Sequence, residues 1–247
     1  MPSKKIKFVF FGSDDVAAYI LDPLREKGFV PNLIVDSARA PLDIDALKAI
    51  GADVFIVASF GKILPQDIID MPKYGTLNIH PSLLPKLRGT SPIRTAIIQE
   101  DETGVTIIKM DEQMDHGPIL ATKKVSFETW PDKHSIVEKK LWSEGGRMLA
   151  DILPDWIEGK VTTHPQSDSE ATFTKLIKKS DADITNDPPE LAYRKVLAYE
   201  GWPRARRGDL IITEAHVENG ELILDKVIPP GKREMDYKDY LRGRPVR

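Results

Sequence analysis

The sequence predicts an α/β protein with a doubly wound, Rossmann-like and mainly parallel sheet and a small C-terminal β appendage. Short, almost continuously apolar runs at 6–11 and 54–58 are typical of strands buried on both faces of a parallel sheet. Segments with helical spacing of apolar residues alternate with these runs. Parallel strands need crossover connections of this kind, so the alternation indicates a doubly wound α/β domain.

The elements follow one another in a regular order. Residues 6–11 are predicted to form the first strand, and Gly12 and Ser13 lead into a helix toward residue 27 that Pro23 kinks or ends early. Strands are predicted at 33–35, 54–58 and 76–80, with a short helix at 42–50. A helix at 92–100, strands at 104–110 and 119–125, and a long helix at 132–159 complete this part. Gly145, Gly146 and Pro154 predict an interruption of the long helix.

The remainder of the chain has a different character. Residues 160–190 are polar and predict a linker or a surface segment. A helix is expected at 191–199, and short strands at 210–213 and 222–227 form the β appendage. About forty residues are too few to bury a secure core alone, so we expect this appendage to pack on the first domain.

Composition excludes several classes of protein. The 247 residues carry a net charge of −3, which argues against a basic surface for nucleic acid over the whole molecule but leaves room for a local basic patch. DNA is not expected as a partner. The chain has no cysteine, which rules out disulfides and thiolate metal sites and fits a reducing cytoplasm. No stretch reaches the ~20 apolar residues of a membrane span, and the apolar run near the N-terminus reads as a strand rather than a signal peptide. The sequence makes no prediction about oligomeric state.

Asn78 and His80 form the most informative pair. Residues two apart in a strand share a face, so their amide and imidazole point at the same small volume. Acyl or one-carbon transfer needs a hydrogen-bond donor for the developing oxyanion and a proton carrier beside it. The competing interpretation is that the histidine at a strand end is a structural hydrogen-bonding residue. Ligands of such sheets bind at the carboxyl ends of the strands, where the loops after residues 11, 58 and 80 lie. Gly12 is a lone glycine, so a dinucleotide-binding fingerprint is absent.

Several motifs, taken in order, resemble the folate-dependent formyltransferase superfamily. Besides N-x-H they include the segments A-S-F-G-K-I-L-P, S-L-L-P, L-R-G-T-S-P-I-R, G-V-T, D-H-G-P-I, A-T-F-T-K-L-I, A-Y-E-G-W-P-R-A and P-P-G-K-R-E-M. Together they cover most of the chain and are most similar to the methionyl-tRNA formyltransferase family. The chain resembles an abbreviated member, because it is short between Val35 and Asp53, where the tRNA enzymes carry a long basic loop, and its C-terminal β domain is reduced.

This resemblance implies roles for particular residues. Asn78, His80 and Asp115 match the catalytic residues of the family; the competing interpretation for Asp115 is a loop carboxylate that caps a turn. The implied formyl donor is 10-formyltetrahydrofolate, with no metal. The implied folate-binding residues lie in two loops: Gly61, Lys62, Ile63 and Leu64, and Ser82, Leu83, Leu84 and Pro85. Any of the three leucines in these loops is equally well explained as a core residue. The implied substrate-binding residues are Gly12, Ser13, Arg88, Gly89 and Arg94, and Ser13 is equally well explained as a helix cap.

The resemblance also implies domains and an acceptor. We expect a formyltransferase catalytic domain at 1–160, a linker and helix that pack on it at 161–200, and a reduced C-terminal β domain at 201–247. The implied acceptor is the α-amine of initiator methionyl-tRNA. Two alternatives stay open, namely N-formylation of a nucleotide-linked amino sugar and a catalytically silent RNA- or folate-binding module. A basic cluster of Arg204, Arg206 and Arg207 offers phosphate contacts, although such a charge run is usually a solvated face.

Overall fold

The computed structural model describes residues 5–36 and 39–243, apart from the side chains of Asp14 and Asp15. The strands are β1 (Phe8–Gly12), β2 (Leu33–Val35), β3 (Val54–Ala58), β4 (Thr76–His80), β5 (Thr103–Lys109), β6 (Ile119–Val125), β7 (Arg206–Arg207), β8 (Leu210–Glu218), β9 (Glu221–Ile228) and β10 (Met235–Asp236). The helices are α1 (Asp14–Glu26), α2 (Ile44–Ile50), α3 (Gln66–Ile69), α4 (Pro92–Gln99), α5 (His134–Ile157), α6 (Pro189–Ala198) and α7 (Tyr237–Arg242). Two compact units result, one from the chain up to Pro92 with Glu102–Ser126 and Glu138–Thr174, the other from Ile93–Asp101, Phe127–Val137 and the chain from Lys175 onward.

The first unit contains a six-stranded sheet in the order β2-β1-β3-β4-β5-β6. The first four strands in this order run parallel to one another, and β5 pairs antiparallel with both of its neighbours. β5 alone is therefore reversed, and the predicted mainly parallel, doubly wound α/β fold is confirmed. Strand order changes direction at β1, and such switch points place binding loops at the carboxyl ends of the strands.

Apolar side chains bury one face of this sheet against α2 and α3. Phe11 lies at the centre of the cluster, with its ring centroid 5.2 Å from that of Phe55 and 5.4 Å from that of Phe60, both in edge-to-face geometry. Leu47 of α2 and Ile68 of α3 pack against the same cluster. The continuous apolar runs that predicted buried strands are explained by this burial, since β1, β3 and β4 are buried along their whole length.

The interruption predicted in the long helix is wrong. α5 is continuous through Gly145, Gly146 and Pro154. A β-carbon on Gly145 would lie 2.5 Å from Cγ2 of Ile79, and one on Gly146 would lie 2.6 Å from the carbonyl oxygen of Ile20. These glycines therefore allow the helix to approach the sheet and α1 closely, which offsets their low helix propensity.

Pro23 likewise does not end α1, which continues to Glu26. Ile20, Leu21 and Leu24 on either side of it are fully buried or nearly so. Their burial outweighs the hydrogen bond that a proline removes from the helix.

The second unit contains a four-stranded sheet in the order β10-β9-β8-β7. α6 packs on this sheet through Ala192 and Val196, which share a cluster with Ile212 and Val227. β8 and β9 are longer than the sequence predicted, because Asn219 and Gly220 join them in a two-residue turn with φ values of +51° and +78°. Asn-Gly is the preferred pair for such a turn, so this hairpin was detectable in the sequence.

The polar segment after α5 follows an extended course on the first unit. His164 exchanges two backbone hydrogen bonds with Ile119, of 2.8 and 2.9 Å, and Phe173 forms an isolated bridge with Arg88. Within the described ranges, the helices include none with the length and apolarity needed to cross a membrane.

Candidate active site

The polar face of β4 carries Asn78 and His80. β4 lies between β3 and β5, where Asn78 pairs with Val57 and His80 with Thr106. The two side chains are buried, with 9% and 4% of their residue surface exposed. Side chains alternate along a strand, so both point to the face opposite Ile79. A buried strand thus fixes the amide and the imidazole more rigidly than a loop would.

Asp115 brings a carboxylate to this pair from the loop between β5 and β6. Its Oδ1 accepts a hydrogen bond of 3.1 Å from Nδ2 of Asn78 and lies 3.5 Å from Nδ1 of His80. Its Oδ2 accepts a hydrogen bond of 2.8 Å from the backbone N–H of Gly89. The structure therefore brings together the three residues that the sequence singled out as catalytic, with Gly89 beside them.

The second nitrogen of His80 determines which tautomer is present. Nε2 lies 2.9 Å from the backbone carbonyl oxygen of Leu87. A carbonyl oxygen only accepts, so Nε2 carries a proton and Nδ1 faces Asp115. Leu87 adopts a left-handed conformation with φ of +62°, which is unusual for a residue with a branched side chain. Backbone strain of this kind is concentrated at functional sites.

Close packing determines the course of the loop that carries Asp115. Asp115 itself has φ of +51°, a left-handed conformation that aspartate tolerates better than most residues. A β-carbon on Gly117 would lie 1.8 Å from the carbonyl oxygen of Lys109, so only glycine fits there. Just beyond, Lys109 donates a backbone hydrogen bond of 3.0 Å to Pro118. The loop is thus pressed against the end of β5.

Arg88, predicted to bind substrate, lies in the interior, with 4% of its surface exposed. Its Nε donates to Oε1 of Gln166, and its Nη1 donates to Oδ1 of Asp168, each at 3.0 Å. Nη2 is buried and has no hydrogen-bond partner among the described residues. Protein groups therefore already bind most of the guanidinium of Arg88, and substrate binding by this residue stays a prediction.

Sequence reasoning missed Gln166. Its Nε2 donates to the carbonyl oxygens of Asp115, at 2.9 Å, and Gly117, at 2.8 Å. The segment around it was predicted only as a polar linker. No local pattern distinguishes this glutamine, because its partners lie 49 to 78 residues away in the sequence.

The first predicted folate-binding loop lies after β3. Gly61, Lys62 and Ile63 are exposed, and Ile63 has 80% of its surface accessible. Ser59 and Gly61 both have positive φ, of +50° and +70°, which turns the chain sharply here. Leu64 instead packs in the core cluster with Phe11, so its position is that of a core residue.

The second predicted folate-binding loop lies after β4 and is tied together internally. The hydroxyl of Ser82 donates to the carbonyl oxygen of Lys86 at 2.6 Å. The hydroxyl of Thr106 donates to the Ser82 carbonyl at 2.8 Å and accepts from the Leu84 N–H at 3.1 Å. Leu84 is buried, whereas Leu83 and Pro85 are partly exposed. Because β3 and β4 are parallel neighbours, both loops leave the same edge of the sheet.

The remaining predicted substrate residues belong to both units. Gly12 is buried at the end of β1, where a β-carbon would lie 2.7 Å from the carbonyl oxygen of Ala58, so packing alone requires a glycine. Ser13 occupies the N-cap position of α1 without a capping hydrogen bond from its side chain. Arg94 belongs to the second unit, where its charge adds to burial in lowering the pKa of His134 to about 4. Burial also raises the pKa of Tyr199 in that unit to about 12.

Metal chemistry was not predicted for this chain. Among residues 5–36 and 39–243, no cluster of three or more His, Asp or Glu side chains has an arrangement that would hold a metal ion.

Comparison with known proteins identifies relatives of this chain. A family model described as formyl transferase matches residues 19–153. The methionyl-tRNA formyltransferase of Roseiflexus castenholzii is 36% identical to this chain, over 87% of this chain and 78% of that protein.

Solved structures share the fold. The methionyl-tRNA formyltransferase from Clostridium thermocellum superposes with a TM-score of 0.69 over 94% of this chain and 99% of that chain, at 20% identity. HypX from Aquifex aeolicus in complex with tetrahydrofolic acid superposes with a TM-score of 0.72 over 96% of this chain and 47% of that chain, at 16% identity. At these identities the superpositions show the fold alone.

Proposed function

Because this chain belongs to the formyl transferase family, we propose that it transfers a formyl group from 10-formyltetrahydrofolate to the α-amine of methionyl-tRNA. The observation that carries the proposal is the contact of Asp115 with both Asn78 and His80, at 3.1 and 3.5 Å. Relatives named methionyl-tRNA formyltransferase support the acceptor, and the donor is the one implied by the resemblance to folate-dependent formyltransferases. The cytoplasm, where tRNA is used, is the compartment we propose.

Asn78 stabilises the charge that develops during transfer. The donor supplies a formyl carbon for the amine to attack, and negative charge then accumulates on the formyl oxygen. An amide nitrogen has two hydrogens, and Asp115 accepts only one of those on Asn78. The other is directed to the formyl oxygen, an interaction worth about 3 kcal/mol in comparable oxyanion sites.

His80 and Asp115 manage the proton that the attacking amine must lose. With Nε2 committed to the Leu87 carbonyl, Nδ1 is the nitrogen that takes up a proton. The carboxylate of Asp115, 3.5 Å away, stabilises the imidazolium that forms. The proton then passes to the departing nitrogen of the donor, so that no net charge remains on the protein.

The loops after β3 and β4 suit a flat, partly apolar donor. Ile63 is exposed and Leu83 is partly exposed, so both offer apolar surface at the edge of the sheet where His80 ends β4. Gly61 is exposed, and a β-carbon added to it would meet no atom of the described residues within 4 Å, so the backbone there is open to hydrogen-bond the polar edge of a pterin. Leu64 and Leu84 support these loops from the interior.

The second unit offers positive charge for the phosphates of a tRNA. Arg204, Arg206 and Arg207 are exposed, and Trp202 between the helix α6 and this cluster has 47% of its surface accessible. Phosphate contacts supply much of the affinity for nucleic acid, and aromatic side chains stack on unpaired bases. On a chain with a net charge of −3, such a local cluster is where we place contacts with the tRNA.

The direct test offers the purified protein 10-formyltetrahydrofolate with one acceptor at a time, either methionyl-tRNA or nucleotide-linked amino sugars, and detects formylated product by mass spectrometry. Formylmethionyl-tRNA, absent with the His80→Ala variant, is the expected result. Formylation of an amino sugar and not of methionyl-tRNA would establish the alternative acceptor. Binding of folate or tRNA without any turnover would show a silent binding module and would refute the proposal.

A further inference from the structure

Gln166 joins the loop of Asp115 to a buried arginine. Its Nε2 donates to the carbonyl oxygens of Asp115 and Gly117, at 2.9 and 2.8 Å, so both of its amide hydrogens are used. Its Oε1 accepts from Nε of Arg88 at 3.0 Å. One side chain therefore restrains the backbone on both sides of residue 116.

Arg88, which holds Gln166, is itself fixed by hydrogen bonds. The backbone N–H of Arg88 donates to the carbonyl oxygen of Thr172 at 2.9 Å, and the carbonyl oxygen of Arg88 accepts from the N–H of Thr174 at 2.7 Å. Its Nη1 is bonded to Asp168 at 3.0 Å. The next residue, Gly89, donates its N–H to Oδ2 of Asp115. Asp115 is thus held at its carbonyl through Gln166 and at its carboxylate by Gly89.

Such a restraint is needed because Asp115 has left-handed φ of +51°. Without it, the backbone is free to relax toward more favourable conformations, and the carboxylate would leave Asn78 and His80. We propose that Gln166, fixed by Arg88, is the positioning residue that holds Asp115 in reach of both side chains. Its catalytic consequence rests on the formyl transfer proposed above. Arg88 accordingly serves the site through Gln166.

Two variants of Gln166 separate this role from simple support of Arg88. Gln166→Ala removes every hydrogen bond of the side chain. Gln166→Glu keeps an acceptor for Arg88 but loses both donors to the loop and turns a negative charge toward the two carbonyl oxygens. Gln113→Ala, in the same loop but with an exposed side chain, is the matched control.

We expect Gln166→Ala and Gln166→Glu each to lower kcat by about 10- to 100-fold, as a misplacement of about 1 Å does in other enzymes. KM for donor and acceptor should change by less than about threefold, because Asp115 acts on the transition state. Gln113→Ala should match the parent. Restoration of parent kcat by Gln166→Glu would overturn the proposal, since support of Arg88 would then suffice.

Amide hydrogen exchange provides a readout that does not depend on turnover. The N–H of Gly89 reports on the Asp115 carboxylate that accepts its hydrogen bond, and the N–H of Thr174, bonded to the Arg88 carbonyl, serves as the internal reference. Both Gln166 variants should speed exchange at Gly89 while Thr174 remains protected. Unchanged exchange at Gly89 in both variants would overturn the proposal. If the parent protein formylates no acceptor, the proposed function is refuted. Faster exchange at Gly89 in the two Gln166 variants would in that case still support the positioning role.

Discussion

Gly117→Ala tests whether the position of the Asp115 loop controls the reaction. A β-carbon at residue 117 would lie 1.8 Å from the carbonyl oxygen of Lys109, whereas real β-carbons essentially never approach within 3.0 Å. The loop and β5 must therefore separate by at least about 1.2 Å, the difference between these two distances. Asp115 lies two residues before the substitution. β5 is hydrogen-bonded on one side to β4 and on the other side to β6, so it resists displacement. The loop is thus the part that moves.

Such a movement would break the contacts of the carboxylate. Asp115 accepts from Asn78 at 3.1 Å, close to the upper limit of about 3.2 Å for a good N–H···O hydrogen bond. A displacement of about 1 Å costs up to about 100-fold in rate, equivalent to about 2.7 kcal/mol. We expect kcat of Gly117→Ala to fall by about this factor, with stability lowered by about 1–3 kcal/mol from overpacking.

The assay compares kcat and urea denaturation for the parent, Gly117→Ala and Gly243→Ala. Gly243 is a suitable control because the nearest atoms to an added β-carbon lie 3.8 Å away. Circular dichroism first verifies that each protein is folded at the assay temperature. A folded Gly117→Ala protein with a kcat within about twofold of the parent would refute the argument, because loop displacement would then leave transition-state stabilisation intact.

Three further predictions concern other parts of the molecule. Asn78→Ala and His80→Ala should each lower kcat at least about 100-fold in folded protein, through loss of the oxyanion donor or the proton carrier, and near-parent turnover in Asn78→Ala would contradict that role. Burial and the Arg94 charge lower the pKa of His134 from 6.5 to about 4. As the pH falls from about 6.5 to about 4, the histidine is therefore protonated in the unfolded chain before it is protonated in the folded protein, and the free energy of unfolding decreases. Urea denaturation should therefore show the parent losing about 2–3 kcal/mol more than His134→Gln between pH 7 and about pH 4.5, and equal losses would contradict this assignment. Simultaneous replacement of Arg204, Arg206 and Arg207 by alanine should slow formylation of tRNA and flatten its salt dependence, without changing formyl transfer to a small methionine-ester acceptor. If the triple variant uses tRNA as well as the parent at physiological salt, this cluster does not bind RNA.

The sequence by itself determined the fold class, an α/β protein with a mainly parallel sheet, and the pairing of Asn78 with His80 on one strand face. Continuous apolar runs predict strands buried on both faces, and β1 and β3 have that burial. The period of two along a strand placed Asn78 and His80 on one face. These properties can be predicted from the sequence because the burial of a strand and the direction of its side chains depend on residues that are close together in the chain. The turn signal of Asn219-Gly220 is equally local, but the prediction missed it and made both strands of the last hairpin too short.

Family resemblance, rather than spacing, singled out Asp115, which lies 37 residues from Asn78. The structure then decided what no local pattern contains. In the structure Arg88 is buried, Gln166 hydrogen-bonds the loop that carries Asp115, and α5 continues through Gly145. Each of these outcomes depends on which distant surfaces meet, such as a helix that needs a missing β-carbon to approach the sheet. Tertiary packing can therefore override local propensity and create hydrogen-bond partners that neighbouring residues do not reveal.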